Sequence, residues 1–186
     1  MSMALVCGMG QAMATTITFD DLTGNLTNIP DGYGGLNWSE YFYYLNGDTE
    51  GPSGYETGTV SHPNVAFNAY AYDVSLNTVS GTINLITGEF TSAWDDGNTI
   101  TVMGYLNGIV VYETEIVTNT EAPILVTFNW MNINKVTFSS SSQHFVLDDL
   151  TYTTGAVATP EPASCGIWAL FSGLGVFGYR RRKRSA

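Results

Sequence analysis

Apolar and polar positions alternate in short runs along most of this chain. Over residues 15–154 the runs are rich in Thr, Val, Ile, Tyr and Phe, and Gly, Asn and Asp break them. No helical period lasts beyond about two turns, so the pattern predicts strands. The clearest unit covers residues 98–117, where Asn107-Gly108 separates two β-rich runs. That dipeptide predicts a hairpin with a type I′ turn, because both central residues need positive φ. Asp95-Asp96-Gly97-Asn98 predicts a second tight turn just before it. Further strands are expected over residues 15–22, 38–45, 65–72, 81–93, 123–130, 135–139 and 144–153. This many short strands in ~140 residues predicts an all-β domain, an antiparallel two-sheet jelly-roll-like sandwich. No period of roughly 20–50 residues is present, which argues against a solenoid.

The two ends depart from this pattern. Residues 4–10 form a short apolar run, and Ala12-Met13-Ala14 is a small-x-small site. Residues 1–14 therefore read as a signal peptide, with Ala12 and Ala14 marking the cleavage. After the sandwich, residues 155–162 read as a linker ending in Pro160-Glu161-Pro162. Residues 163–179 carry no formal charge. As a helix they span ~25 Å, near the lower limit for crossing a bilayer. Arg180, Arg181, Arg182, Lys183 and Arg184 follow. A basic cluster of this kind stops transfer and stays cytoplasmic, so residues 163–179 are expected to be a transmembrane helix, 180–186 its cytoplasmic tail, and the sandwich lies outside the cytoplasm.

Charge sharpens the division. The chain has 186 residues and a formal net charge of −11, yet five of its six basic residues are in the last seven positions. The sandwich holds 16 of the 17 carboxylates, all but Glu161, against the single cation Lys135. A body of about −15 repels nucleic acid, which binds through Lys and Arg. Both cysteines, Cys7 and Cys165, lie in the end segments. The sandwich therefore contains neither a disulfide framework nor Cys-ligated zinc.

Two features of the body suggest chemistry. The first is aromatic density: Trp38, Tyr41, Phe42, Tyr43 and Tyr44 precede the turn-rich loop that carries Tyr55. Exposed rings stack on the apolar faces of sugars, so Trp38, Tyr41 and Tyr55 are candidates for a sugar platform. The alternative follows from strand geometry. Trp38, Phe42 and Tyr44 share one face, Tyr41 and Tyr43 the other, so one set is core and the other a partly buried sheet face. The second feature is a repeated acidic phrase, Phe19-Asp20-Asp21-Leu22 near the start and Leu147-Asp148-Asp149-Leu150 near the end. The terminal strands of a jelly roll commonly lie side by side, and hard oxygen ligands at that density suit a structural calcium held by some of Asp20, Asp21, Asp148 and Asp149. The alternative is that one Asp of each pair faces solvent while the other hydrogen-bonds a turn. Catalysis has no motif behind it. His62 and His144 fall in no metal-binding spacing, and no Gly-x-Ser-x-Gly elbow or nucleotide-binding loop is present.

The order Pro-Glu-Pro, short apolar segment, terminal basic cluster resembles the PEP-CTERM sorting signal of Gram-negative bacteria, also catalogued as an ice-binding-protein C-terminal domain. The resemblance covers residues 159–186. It implies that Pro160, Glu161 and Pro162 are a recognition motif for exosortase, an integral membrane enzyme that processes its substrates near this point. It also implies export to the cell surface or matrix, often alongside exopolysaccharide and biofilm genes. The resulting expectation is a non-catalytic surface protein. Carbohydrate binding is the alternative and ice binding a weaker one, since the Thr-rich stretches show no repeat.

Overall fold

The computed structural model describes residues 13–141 and 143–154. The expected leader residue Ala12, linker, membrane segment and basic end lie outside them. Twelve strands are described, in chain order: β1 (Ala14–Ile17), β2 (Thr27–Asn28), β3 (Leu36–Trp38), β4 (Phe42–Asn46), β5 (Asn64–Asn68), β6 (Val74–Thr78), β7 (Ile83–Ser92), β8 (Asn98–Leu106), β9 (Ile109–Thr118), β10 (Ile124–Ile133), β11 (Lys135–Ser140) and β12 (Phe145–Thr154). Ala14, the other predicted cleavage residue, opens β1 opposite Thr153.

The strands form two antiparallel sheets. The larger has the order β10-β7-β12-β5-β4-β2, with β1 also on β12, and the smaller has the order β3-β6-β11-β8-β9. Long β12 explains the branching. Val146 and Leu147 pair with β5, and Leu150 to Thr153 pair with β1 on the same side. The expected adjacency of first and last strands is therefore present. Between those two halves Asp149 takes positive φ, and the register with β7 shifts. This is a bulge, and Asp and Asn tolerate the left-handed region best among residues with a Cβ. Asn129 and Asn132 play the same part in β10.

The inner faces of both sheets meet in one core. Phe42, Phe90, Phe145 and Leu147 of the larger sheet pack with Ile100, Val102, Val136 and Phe138 of the smaller. Rings supply much of the filling, with Phe42 edge-on to Phe138 at 5.8 Å and to Trp38 at 4.9 Å. The hairpin of β8 and β9 turns at Asn107 and Gly108, both at positive φ as a type I′ turn requires.

One expected strand divides. Over residues 38–45 the chain ends β3 at Trp38 in the smaller sheet, turns at Ser39, and enters the larger sheet at Phe42. The side-chain alternation survives the break: Trp38, Phe42 and Tyr44 are core, while Tyr41 and Tyr43 are half-buried on the other side. Residues 65–72 likewise end as a strand at Asn68 and then turn.

A smaller second core lies on the outer face of the larger sheet. Leu45, Val65, Phe67, Ala69 and Val146 point outward there and are covered by Tyr55 and Ala93. Tyr55 sits on a short helix, α1 (Gly54–Thr57), capped by the Ser53 hydroxyl accepting from the Tyr55 N–H. The cover approaches very closely. A Cβ on Gly54 would lie 1.6 Å from the Ser92 carbonyl oxygen, so only glycine fits.

Candidate functional site: an aromatic surface on the larger sheet

Two of the three residues expected to form a sugar platform are buried. Trp38 is 6 % exposed and Tyr55 3 %, so both belong to the cores and neither can stack on a ligand. Their polar atoms are also engaged. Trp38 Nε1–H donates to the Tyr33 carbonyl (3.0 Å), and the Tyr55 hydroxyl is hydrogen-bonded to His144 Nδ1 (2.5 Å). Burial favours this arrangement, because it raises the Tyr55 phenol and lowers the His144 imidazole, which keeps both neutral. Tyr41 alone of the three candidates lines an open surface.

Beside Tyr41 stand two tyrosines that the sequence did not single out. Tyr70 is 66 % exposed and Tyr72 52 %. The three rings form a cluster, with Tyr41 edge-on to Tyr72 at 4.8 Å and to Tyr70 at 5.9 Å, and Tyr70 and Tyr72 5.8 Å apart. The backbone is bent to make it. After β5, Tyr70 and Ala71 both take left-handed φ, 61° and 56°. Neither is glycine, so each conformation costs roughly 1–2 kcal/mol. The bend is clasped by buried Asn68, whose Nδ2 donates to the Tyr72 carbonyl (3.2 Å) while its Oδ1 accepts from the Phe145 N–H (2.7 Å). The Ala69 N–H donates to the Tyr41 carbonyl (2.9 Å) and ties the turn to β4. Glu40 raises the Tyr41 phenol by its negative charge, so the hydroxyl stays protonated at neutral pH.

The cluster borders a cavity of about 280 Å³ lined by Leu26, Tyr43, Phe67, Ala69, Tyr70 and His144. Its lining is mostly apolar, with phenol and imidazole groups among the hydrocarbon. Flat rings and a shallow apolar floor with a few polar edges suit a ligand with alternating C–H faces and hydroxyls. Among the described residues His62 pairs with Asp48 at the surface (2.5 Å), and His144 pairs with Tyr55.

Three of the four candidate calcium ligands hold loops, Asp20 and Asp148 the same one at residues 60–64 and Asp21 the turn at Tyr33. Asp20 Oδ1 accepts from the Asn64 N–H (3.1 Å), and Asp21 Oδ1 from the Tyr33 hydroxyl (2.6 Å). Asp148 is fully buried, and its Oδ2 accepts from the Val60 and Ser61 N–H groups (2.8 and 2.9 Å). Its Oδ1 accepts from the Asp149 N–H (2.8 Å). Asp149 itself is half-buried in the bulge. Among the described residues no group of three or more His, Cys, Asp or Glu side chains is arranged to hold a metal ion.

Tyr70, Tyr72 and His144 had a weak signal in the sequence. Asn68-Ala-Tyr-Ala-Tyr-Asp73 places two tyrosines two apart between turn-forming residues, which is unusual for core. The fold and surface together define a two-sheet antiparallel β-sandwich with an aromatic site on an outer face. No family model matches the chain, and no curated protein matches it. Among solved structures it is similar to the K2 cleaved adhesin domain of Lys-gingipain at 17% identity and a TM-score of 0.45, covering 76% of this chain and 98% of that one. It is similar to a family 29 carbohydrate binding module at 13% identity and a TM-score of 0.43, covering 78% and 91%. It is also similar to part of a family two carbohydrate esterase from Cellvibrio japonicus, at 17% identity and a TM-score of 0.40, covering 76% of this chain and 34% of that one. At identities this low, ligands do not transfer from those proteins to this one.

Proposed function

We propose that this chain is an exported, non-catalytic protein whose jelly-roll-like domain binds polysaccharide through the Tyr41–Tyr70–Tyr72 surface. One observation carries the reading. Two largely exposed tyrosines are held against a third by a strained turn, beside an apolar cavity. Strain kept at an exposed aromatic cluster is better explained by a ligand than by packing, because the rings gain little burial there. Pyranose rings present C–H bonds on one face and hydroxyls at the rim, which matches phenol rings with free edges. Delivery belongs to the other end of the chain. Pro160, Glu161 and Pro162 are the processing motif in this reading, and residues 163–179 hold the precursor in the inner membrane until an exosortase-type enzyme releases it to the cell surface or medium.

Native affinity electrophoresis through gels containing soluble polysaccharides tests the binding half. The expected result is retardation by at least one polymer that is lost in the Tyr70→Ala/Tyr72→Ala double variant. Retardation that is unchanged in that variant removes the site. Mass spectrometry of the mature C-terminus tests delivery, since a mature protein that still carries Arg180 to Arg184 is a plain membrane anchor.

A further inference from the structure

We propose that Trp94 anchors a second sugar subsite, so that the binding surface takes an extended, uncharged polysaccharide. This inference rests on the polysaccharide reading above and names the class of glycan. Trp94 lies two residues after the end of β7 and is 57 % exposed, whereas the other two tryptophans in the described residues, Trp38 and Trp130, are buried. It borders a cleft of about 360 Å³ whose walls include Glu56, Thr57, Thr120 and Glu121. An exposed indole beside a concave, partly apolar cleft with carboxylates and hydroxyls in its walls has the form of a stacking platform with hydrogen-bonding groups around it.

The segment that carries the ring is held in place. Gln143 Oε1 accepts from the backbone N–H groups of Trp94 and Asp95 (3.1 and 2.9 Å), and its Nε2 donates to the Asp95 carbonyl (2.8 Å). The indole packs edge-on against Tyr55 at 5.3 Å. A platform fixed in advance loses little freedom when a ligand arrives. The walls are also prepared. The Thr57 hydroxyl is already used, donating to the Thr120 carbonyl (2.6 Å). The Glu56 and Glu121 carboxylates accept no hydrogen bond from the described residues, which leaves acceptors for the hydroxyls of a sugar.

This cleft is joined to the tyrosine surface by packed rings beneath the surface. Trp94 touches Tyr55, Tyr55 touches Phe67 at 5.4 Å, and Phe67 touches Tyr43 at 6.1 Å. Tyr43 and Phe67 floor the cavity that Tyr70 walls. A ligand that reaches both clusters meets exposed rings at each end, Trp94 at one and Tyr70 and Tyr72 at the other, which favours a polymer over a single sugar. Charge excludes the acidic polymers. Glu56 and Glu121 border one end, and Glu40 and Asp73 flank the tyrosines at the other. The one lysine of the domain, Lys135, lies in the smaller sheet over the Tyr105 ring at 5.6 Å. Among the described residues no Lys or Arg stands at this surface to balance a uronate or sulfate, and four carboxylates repel one.

The test uses the full chain with hydroxyethylcellulose, galactomannan and laminarin as neutral probes and alginate and polygalacturonate as anionic ones. The wild type is expected to be retarded by a neutral polymer and not by either anionic one. Trp94→Ala is expected to weaken that retardation by about tenfold, as for the loss of an aromatic anchor. Trp94→Phe, which keeps a ring against Tyr55, retains part of it and controls for folding. The same neutral polymer is expected to protect Trp94 of the wild type from N-bromosuccinimide oxidation. If Trp94→Ala binds as the wild type while the Tyr70→Ala/Tyr72→Ala variant does not, the second subsite falls and the proposed function stands. Retardation by alginate or polygalacturonate overturns the neutral class. If no polymer retards the wild type, both readings fall together.

Discussion

At the scale of single residues, the least comfortable backbone lies under the proposed site. Ala71 holds φ 56° next to Tyr70 at 61°. Glycine relieves a left-handed residue of ~1–2 kcal/mol but loses ~0.5–1 kcal/mol more entropy on folding. Ala71→Gly is therefore expected to stabilise the domain by about 0.5–1 kcal/mol, readable as a higher Tm. The same change loosens the turn that aims Tyr70 and Tyr72, so polysaccharide affinity is expected to fall as Tm rises. A variant that loses Tm would show that the turn is not strained. Asp148 gives a pH dependence. Burial is the main cause that pushes its carboxyl up to about 7, against the lowering effect of the N–H groups of Ser61, Asp149 and Val60. The folded pKa exceeds the ordinary value near 4, so the fold prefers the protonated form. That contribution is complete below about pH 4 and is lost as pH rises through about 7. Asp148→Asn removes the titration. Melting curves should therefore show the wild type's advantage over this variant shrinking between pH 5 and pH 8. An advantage that grows over that range would mean that the carboxylate is held charged.

At the scale of elements, the segment from Gly47 to Gly58 decides what the outer face can bind, because it buries Tyr55 and leaves the neighbouring rings open. Its contact with the sheet passes through Gly54, where a Cβ would overlap the Ser92 carbonyl and crowd the Ala93 backbone. Backbone cannot move aside as a side-chain tip can. Gly54→Ala is expected to cost roughly 1–3 kcal/mol and to lower Tm by several degrees, while an unchanged Tm would show that the cover is not docked. This segment also marks where the sequence stopped being informative. The β8–β9 hairpin was legible because Asn107-Gly108 dictates its turn chemistry. The split of Trp38, Phe42 and Tyr44 from Tyr41 and Tyr43 was legible because strand alternation has a period of two. The position of Tyr55 was not, since a loop closing over a sheet depends on contacts distant in sequence. Tyr70 and Tyr72 left only the weak mark of two tyrosines between turn-forming residues, because left-handed φ at non-glycine residues has no signature of its own. Trp94 could have been noticed as an aromatic residue directly before the Asp95-Asp96-Gly97 turn, a place where the chain leaves the core. The bulges at Asn129, Asn132 and Asp149 use residue types that suit the conformation, but those types are common in many other settings.

At the scale of the whole molecule, the distribution of charge determines how binding must respond to salt. The sandwich carries 16 carboxylates and one lysine, and that lysine is on the sheet opposite the aromatic surface. Three kinds of ligand then give three different salt responses. A polyanion bound through displaced counterions or ion pairs loses affinity steeply as salt rises. A polyanion held off by the domain's own field gains affinity as that field is screened. An uncharged glycan bound by stacking and hydrogen bonds feels neither effect. The Debye length falls from about 10 Å at 0.1 M salt to about 3 Å at 1 M, which removes most of the interaction between exposed charges. Affinity for a neutral polymer such as hydroxyethylcellulose is therefore expected to change by less than about twofold over this range, as read by isothermal titration calorimetry at fixed pH. A chloride salt is the proper choice, because sulfate strengthens apolar burial and would imitate a gain. Affinity that drops tenfold or more would place Lys135 or the basic tail in the contact. That outcome would move the site off the tyrosine and tryptophan rings, which have no Lys or Arg beside them among the described residues.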